Sequence, residues 1–294
     1  MSTLNLFKES YQRWSDDNAS QMAAALAYYT IFSLAPMLIL VIAIAGVVWG
    51  EEAARGELKN QMQNIVGESS AAFLQEMISN TSKPGSSATG WATLAGVFIL
   101  IWGATGVFAQ LQASLNQIWG IQPKPGGYGM MARQLIRKRL TSFLVILGVG
   151  ALILLSLCLS AALNFVSTQM SGSIADTSVL WNLLDFAGTF IVITLLFAMI
   201  FKVLPDAHIE WRQVWAGAVI TALLFTIGKF LLGLYLGSGS VSSTFGAAGS
   251  LVLLLIWIYY SSQILFFGAE FTHTYAQQSG SPIEPEDHAM QMKS

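Results

Sequence analysis

Residues 250–273 read SLVLLLIWIYYSSQILFFGAEFTH. Sixteen of the first twenty are apolar or aromatic, and the run then meets Glu270. A segment this long and uniform exceeds the usual length of a buried strand or core helix and matches the ~20 apolar residues that cross a bilayer. The rest of the chain agrees with the spanning reading. Of 294 residues 54% are hydrophobic and 10% charged, where soluble domains carry roughly 25% charged residues. Mean hydropathy is +0.59. The net charge of −2 offers no bulk attraction for nucleic acid, so none is expected as a partner. The single Cys158 excludes an internal disulfide.

Reading outward with a ~19-residue window gives six apolar runs: Met22–Trp49, Trp91–Phe108, Ser142–Val166, Leu180–Leu204, Val214–Leu236 and Gly249–Phe271. No stretch alternates with period two, which argues against a barrel. The expected fold is all-α: a polytopic bundle of six transmembrane helices. The first run follows about nineteen mostly polar residues and is too long for a signal-peptide core, so it reads as an uncleaved span, kinked at Pro36. Lys8, Arg13, Lys124, Arg133, Arg137, Lys138, Arg139, Lys202, Arg212 and Lys293 fall on one side of this arrangement; Arg55, Lys59 and Lys83 fall on the other. The excess predicts cytoplasmic termini.

Residues 1–19 then form a cytoplasmic segment, 20–273 the membrane domain, and 274–294 a disordered cytoplasmic tail. The long loop 50–90 lies on the outer side. Leu58, Met62, Ile65 and Val66 share one helical face, and Phe73, Leu74, Met77 and Ile78 another, predicting two amphipathic helices.

Ionisable groups inside a span are costly and mark candidate sites. Lys229 in the fifth run and Asp185 in the fourth reach overlapping depths and form a candidate pair. Ser156, Ser160, Asn164 and Thr168 recur every four residues on one face of the third run. That stripe reads either as interhelical hydrogen bonding or as one wall of a polar cavity. A second polar group gathers at the cytoplasmic side: Asn18, Ser20 and Gln21; Gln110, Ser114, Asn116 and Gln117; and Gln263 with Glu270. Glu270 is expected to accept hydrogen bonds from these amides or to pair with Arg212. The basic segment Arg133, Arg137, Lys138 and Arg139 is a candidate grip on anionic lipid head groups, and also serves as a topology signal. Tight helix crossings are expected at Gly233 and Gly237, Gly246 and Ser250, and Ala92 and Gly96.

Catalytic constellations are missing from the text. The three histidines, His208, His273 and His288, do not supply a metal-ligand pattern, and no phosphate loop, nucleophile elbow or dinucleotide fingerprint occurs. No cofactor and no metal are expected, and an enzymatic role is disfavoured.

Three further stretches carry a resemblance. AAALAYYTIFSLAPMLIL (23–40), LQASLNQIWGI (111–121) and FGAAGSLVLLLIWIYYSSQILFFGAE (245–270) resemble, in order, the signatures of the YihY/virulence factor BrkB family of bacterial inner-membrane proteins. Tyr28, Tyr29, Pro36, Asn116, Trp119, Gly268 and Glu270 match that pattern. The resemblance implies a six-helix inner-membrane protein and little about activity. The label "ribonuclease BN" attached to such proteins finds no His and Asp cluster here to support it. The residues favour a transporter, exporter or flippase of an envelope component, a lipid among the candidates. The alternatives are a non-transporting envelope scaffold or assembly factor, and an intramembrane enzyme. Membrane lipids and an envelope precursor are the expected partners. The oligomeric state is left open.

Overall fold

The computed structural model describes residues 3–50, 106–124, 178–237 and 249–292 continuously, and residues 52–81 and 148–152 with gaps. Its helices are α1 (Thr3–Asp16), α2 (Ala19–Trp49), α3 (Glu68–Thr81), α4 (Gly106–Ile118), α5 (Ser178–Val203), α6 (Trp211–Gly237) and α7 (Gly249–Gln278). Four short strands accompany them: β1 (Ile121–Pro123), β2 (Ala207–His208), β3 (Glu284–Pro285) and β4 (Ala289–Gln291).

α5, α6 and α7 each contain a window long and apolar enough to cross a membrane: Phe186–Val203, Trp211–Leu234 and Gly249–Gln278. Only 33%, 28% and 39% of those windows are buried by protein. Phe230, Leu234 and Leu183 are 67%, 63% and 61% exposed. An uncovered apolar belt of this kind is tolerated by lipid and not by water. The chain is a mostly helical membrane protein. Of the remaining apolar runs, Met22–Trp49 lies within the 31-residue α2, while most of Trp91–Phe108 and nearly all of Ser142–Val166 lie outside the described residues.

α7 is the central element. It lies against α6, α2, α1, α4 and α3, and α5 lies against the far side of α6. The helix between α1 and α2 is broken at Asn18, the one described non-glycine residue with positive φ, at 54°. Asparagine tolerates this left-handed turn better than most residues. The break swings the amphipathic α1 back onto the end of α7, where the Phe7 ring sits 5.2 Å from Phe271 and 6.3 Å from Phe267.

Two apolar cores result. The larger joins α2, α4, α5, α6 and α7 around Trp119, Phe201, Leu204 and Phe266. The smaller lies further along α2 and near the start of α7, and gathers Leu38, Ile42, Leu58, Met62, Leu74, Ile78, Leu254 and Ile258.

α7 continues to Gln278, two turns past the end of the apolar run, so Glu270 lies within the helix. The expectation of a disordered tail over 274–294 is corrected. β4 pairs antiparallel with β1 (Ile121↔Gln291) and β3 with β2 (Ala207↔Pro285), while Ile283 and Ala289 are buried. The reason is local pairing with two interhelical loops, which supply hydrogen-bond partners and apolar cover that the segment's own composition does not advertise. At Gly233 a methyl group would meet no heavy atom within 4 Å, so among the described residues no helix crosses at that point. The close crossing lies elsewhere on α6, where Gly217 faces Thr272 and Thr221 faces Gly268 of α7.

Candidate functional site

Glu270 is 0% exposed, and neither of its carboxylate oxygens makes a hydrogen bond among the described residues. The charged side chains that act on it are Asp17, which follows α1, and Arg13 on α1. Asp17 faces the carboxyl group without a hydrogen bond of good geometry. Burying a carboxyl that accepts no hydrogen bond is expensive, which marks Glu270 as a candidate site residue.

The surroundings repeat the pattern. Gln263, Glu270 and Thr274 recur at intervals of seven and four residues and therefore share a face of α7. Gln263 Oε1 and Thr274 Oγ1 on α7, and Trp14 Nε1 and Arg13 Nε on α1, are also buried without hydrogen-bond partners among the described residues. Buried polar atoms of folded proteins are nearly always satisfied; here several acceptors and donors from two helices go unmet together.

The rim of the cluster, by contrast, is tied. Arg13 Nη2 donates to Gln277 Oε1 at 2.7 Å and to Glu9 Oε1 at 3.1 Å. Gln278 Nε2 donates to Glu9 Oε2 at 3.0 Å, and Gln277 Nε2 lies 3.0 Å from His273 Nε2. These contacts clamp α1 over the last turns of α7 and leave the interior polar atoms bare.

The expectation that Glu270 binds the neighbouring amides or Arg212 is overturned. Arg212 is exposed at the start of α6, and Gln21 is exposed at the start of α2. Gln110 is half-buried and its Nε2 donates weakly to Ser114 Oγ at 3.4 Å. Asn116 turns away to Asp206, a residue the sequence did not single out. Asp206 is buried in the loop between α5 and β2. Its carboxylate accepts from Asn116 Nδ2 at 2.8 Å and Gln112 Nε2 at 3.2 Å, and lies 2.8 Å from His288 Nε2. Asp206 N donates in return to Asn116 Oδ1 at 3.0 Å. His288 Nδ1 stands 3.5 Å from Glu286 Oε2. Nearby, Trp119 Nε1 donates to the Ala269 carbonyl at 3.1 Å, tying α4's end to the turn of α7 that carries Glu270. This second network is satisfied, and it fixes the frame around the unsatisfied one. The signal that could have found it is the buried-type pair Gln112 and Asn116, one turn apart on α4.

With the geometry in view, relatives can be placed. The family model described as Virulence factor BrkB matches residues 10–293. The chain belongs to the BrkB family. It is 28% identical over 287 residues to a UPF0761 membrane protein of Stenotrophomonas maltophilia, a match covering 93% of this chain and 61% of that relative. It is 29% identical over 273 residues to a UPF0761 membrane protein of Psychromonas ingrahamii, covering 90% of this chain and 85% of the relative. The similarity to the Tolumonas auensis protein of the same description is 27% over 278 residues. The chain spans about three fifths of the length of the Stenotrophomonas relative. No solved structure matches it.

Other candidate residues of this BrkB-family chain are placed less fully. Lys229 is half-buried on α6. Asp185 lies on α5, but its side chain falls outside the described residues. Both stand eighteen residues from the ends of the α5–α6 hairpin at Val203 and Trp211, hence at matched depth, about 27 Å along each helix. The stripe Ser156, Ser160 and Asn164 and the basic segment Arg133, Arg137, Lys138 and Arg139 lie outside the described residues. Among the described residues no group of three His, Cys, Asp or Glu is arranged to hold a metal ion.

Proposed function

We propose that this BrkB-family membrane protein translocates an envelope component, a lipid or lipid-linked precursor, with the Glu270 cluster as the polar station at one end of its path. The observation that carries the reading is the fully buried Glu270, whose two oxygens accept no hydrogen bond among the described residues. Around it stand both donors and acceptors, suited to a polar or charged head group that arrives, exchanges hydrogen bonds and leaves. In this reading the membrane is the bacterial inner membrane, the six runs all cross it, and the termini and the Glu270 end face the cytoplasm. The basic segment 133–139 then meets anionic head groups on the same side. No enzymatic step, cofactor or nucleic acid enters it.

The test uses thiols. In a Cys158→Ala background, which removes the only cysteine, Gln263→Cys and Thr274→Cys are exposed to a membrane-impermeant methanethiosulfonate reagent in native vesicles. Labelling at both positions supports a path reached from water. Protection of both, in a protein that still folds, sinks it in favour of the scaffold reading. That second reading draws on the Asp206 network, whose satisfied bonds build a rigid face at the loops and suit a docking platform.

A further inference from the structure

Among the described residues, nothing covers the apolar face of α1: Leu4 is 78% exposed, Tyr11 60% and Phe7 37%. We propose that α1 is an in-plane membrane helix, with Leu4, Phe7 and Tyr11 seated where the acyl chains of a phospholipid bilayer meet its head groups.

The helix divides into three sectors. At about 100° per residue, Leu4, Phe7, Tyr11 and Trp14 fall within about 80° of arc. On one flank of this arc, Leu6 and Ser10 are buried. On the other flank, Asn5, Lys8, Gln12 and Ser15 are exposed and polar. An amphipathic helix docked on a protein in water has one apolar face, the docked one. α1 has a second, open one beside it. That face ends in the stacked rings of Tyr11 and Trp14, with centroids 5.7 Å apart, and these residue types gather at membrane–water boundaries. The 14 residues of α1 are too few to cross a bilayer, so its lipid contact runs along one side, as in other interfacial helices.

Contacts with α7 fix which way the open face points. Phe7 and Glu9 are about 160° apart around α1 and advance only about 3 Å along it. Yet Phe7 meets Phe267 and Phe271, while Glu9 accepts from Gln278. Those partners are separated by about 10–16 Å along α7. A helix with its side chains is about 10–12 Å wide, so the width of α1, and not its length, spans the gap. Arg13, one turn after Glu9, meets Gln277 at the same far level. α1 therefore lies across α7, with its Phe7 side toward the bilayer and its Glu9 side away. Phe267 and Phe271 form the last turn of the apolar run of α7, the level at which hydrocarbon gives way to head groups.

The seat exists on whichever side of the membrane the termini lie, and it needs no transported ligand. It is read on α1 residues outside the Glu270 cluster, so thiol labelling that defeats a path at Gln263 and Thr274 leaves it standing, and the reverse holds too.

The experiment scans α1 with nitroxide labels. Leu4→Cys, Asn5→Cys, Lys8→Cys, Tyr11→Cys and Gln12→Cys, all at exposed positions, are made singly in the full chain carrying Cys158→Ala. Each is spin-labelled and reconstituted in bilayers of phosphatidylcholine and phosphatidylglycerol. Power saturation then compares collisions with oxygen, which concentrates in hydrocarbon, and with a nickel chelate confined to water. The oxygen-to-nickel ratio is expected to be severalfold higher at positions 4 and 11 than at 5, 8 and 12. Nickel collisions at 4 and 11 equal to those at 12 would place the face in water and overturn the proposal. Shielding of 4 and 11 from both reagents would overturn it as well, because protein then covers the face. In that case, spin–spin broadening that fades on dilution with unlabelled chain would identify the cover as a second copy.

Discussion

Gly217 on α6 lies so close to Thr272 on α7 that a methyl group in place of its hydrogen would overlap Thr272 Oγ1. The arrangement is reciprocal. One turn along each helix, Gly268 of α7 receives Thr221 of α6 in the same way. Each threonine hydroxyl donates to the carbonyl of the glycine one turn before it on its own helix, Thr221 to Gly217 at 2.7 Å and Thr272 to Gly268 at 2.8 Å. The hydroxyls are thus satisfied within their helices, and the crossing is held by close backbone approach.

Gly217→Ala is expected to lower stability by about 1–3 kcal/mol through overpacking. Because the clash is with one side chain, adding Thr272→Ala should return most of the loss. Thermal unfolding of the four-membered cycle in detergent checks this. A double variant no more stable than the sum of the single effects predicts would mean the helices do not cross here.

Glu270→Leu is expected to leave the protein at least as stable as the wild type, with a gain of about 1–3 kcal/mol, because a buried carboxyl that accepts no hydrogen bond among the described residues is replaced by an apolar side chain of similar volume. A clear drop in the unfolding midpoint would show that Glu270 is a structural member of the bundle.

Asp206→Ala removes the acceptor of Asn116 and Gln112 and the partner of His288, and each buried group left bare costs about 1–3 kcal/mol. The effect should be local. Hydrogen exchange at the Glu286 and Met292 amides, which donate to the Asp206 and Gly120 carbonyls, is expected to speed up well before the helices open. Unchanged protection at those amides would show that the strands hold without Asp206.

Trp119→Phe keeps an aromatic ring at a fully buried position but deletes the donor to the Ala269 carbonyl. A loss of about 1 kcal/mol is expected, against about 3–5 kcal/mol for Trp119→Ala. Equal losses in the two variants would show that the indole N–H, and not the packing, dominates.

What could be read from the sequence follows from how signals are encoded. The runs 180–204 and 214–236 coincide closely with α5 and α6 because apolar composition over twenty residues is a dense signal. Glu270 stood out because a carboxyl interrupts such a run, although its lack of partners is a property of packing and not of spacing. The Gly217–Thr272 crossing was missed because two small residues four apart occur at many positions, and only the facing helix decides which pair meets. Strands of two or three residues carry no periodicity, so β3 and β4 read as polar, proline-containing tail. Asp206 was passed over because KVLPDAH reads as an ordinary turn, and its partners lie ninety or more residues before it and eighty-two after it in Asn116, Gln112 and His288.

The strand pairs also impose a parity rule. Ala207 and Pro285 can meet only if they emerge on the same face of the membrane, and α6 and α7 are the two long helices between them. The pair therefore closes on a chain in which those helices have gone across and come back, and stays open on one in which either is inverted or left outside. Ile121 and Gln291 apply the same condition over a longer stretch, where the number of crossings between them must be even. These few backbone bonds add little to stability, yet their formation is sensitive to a single segment threaded wrongly between the paired strands.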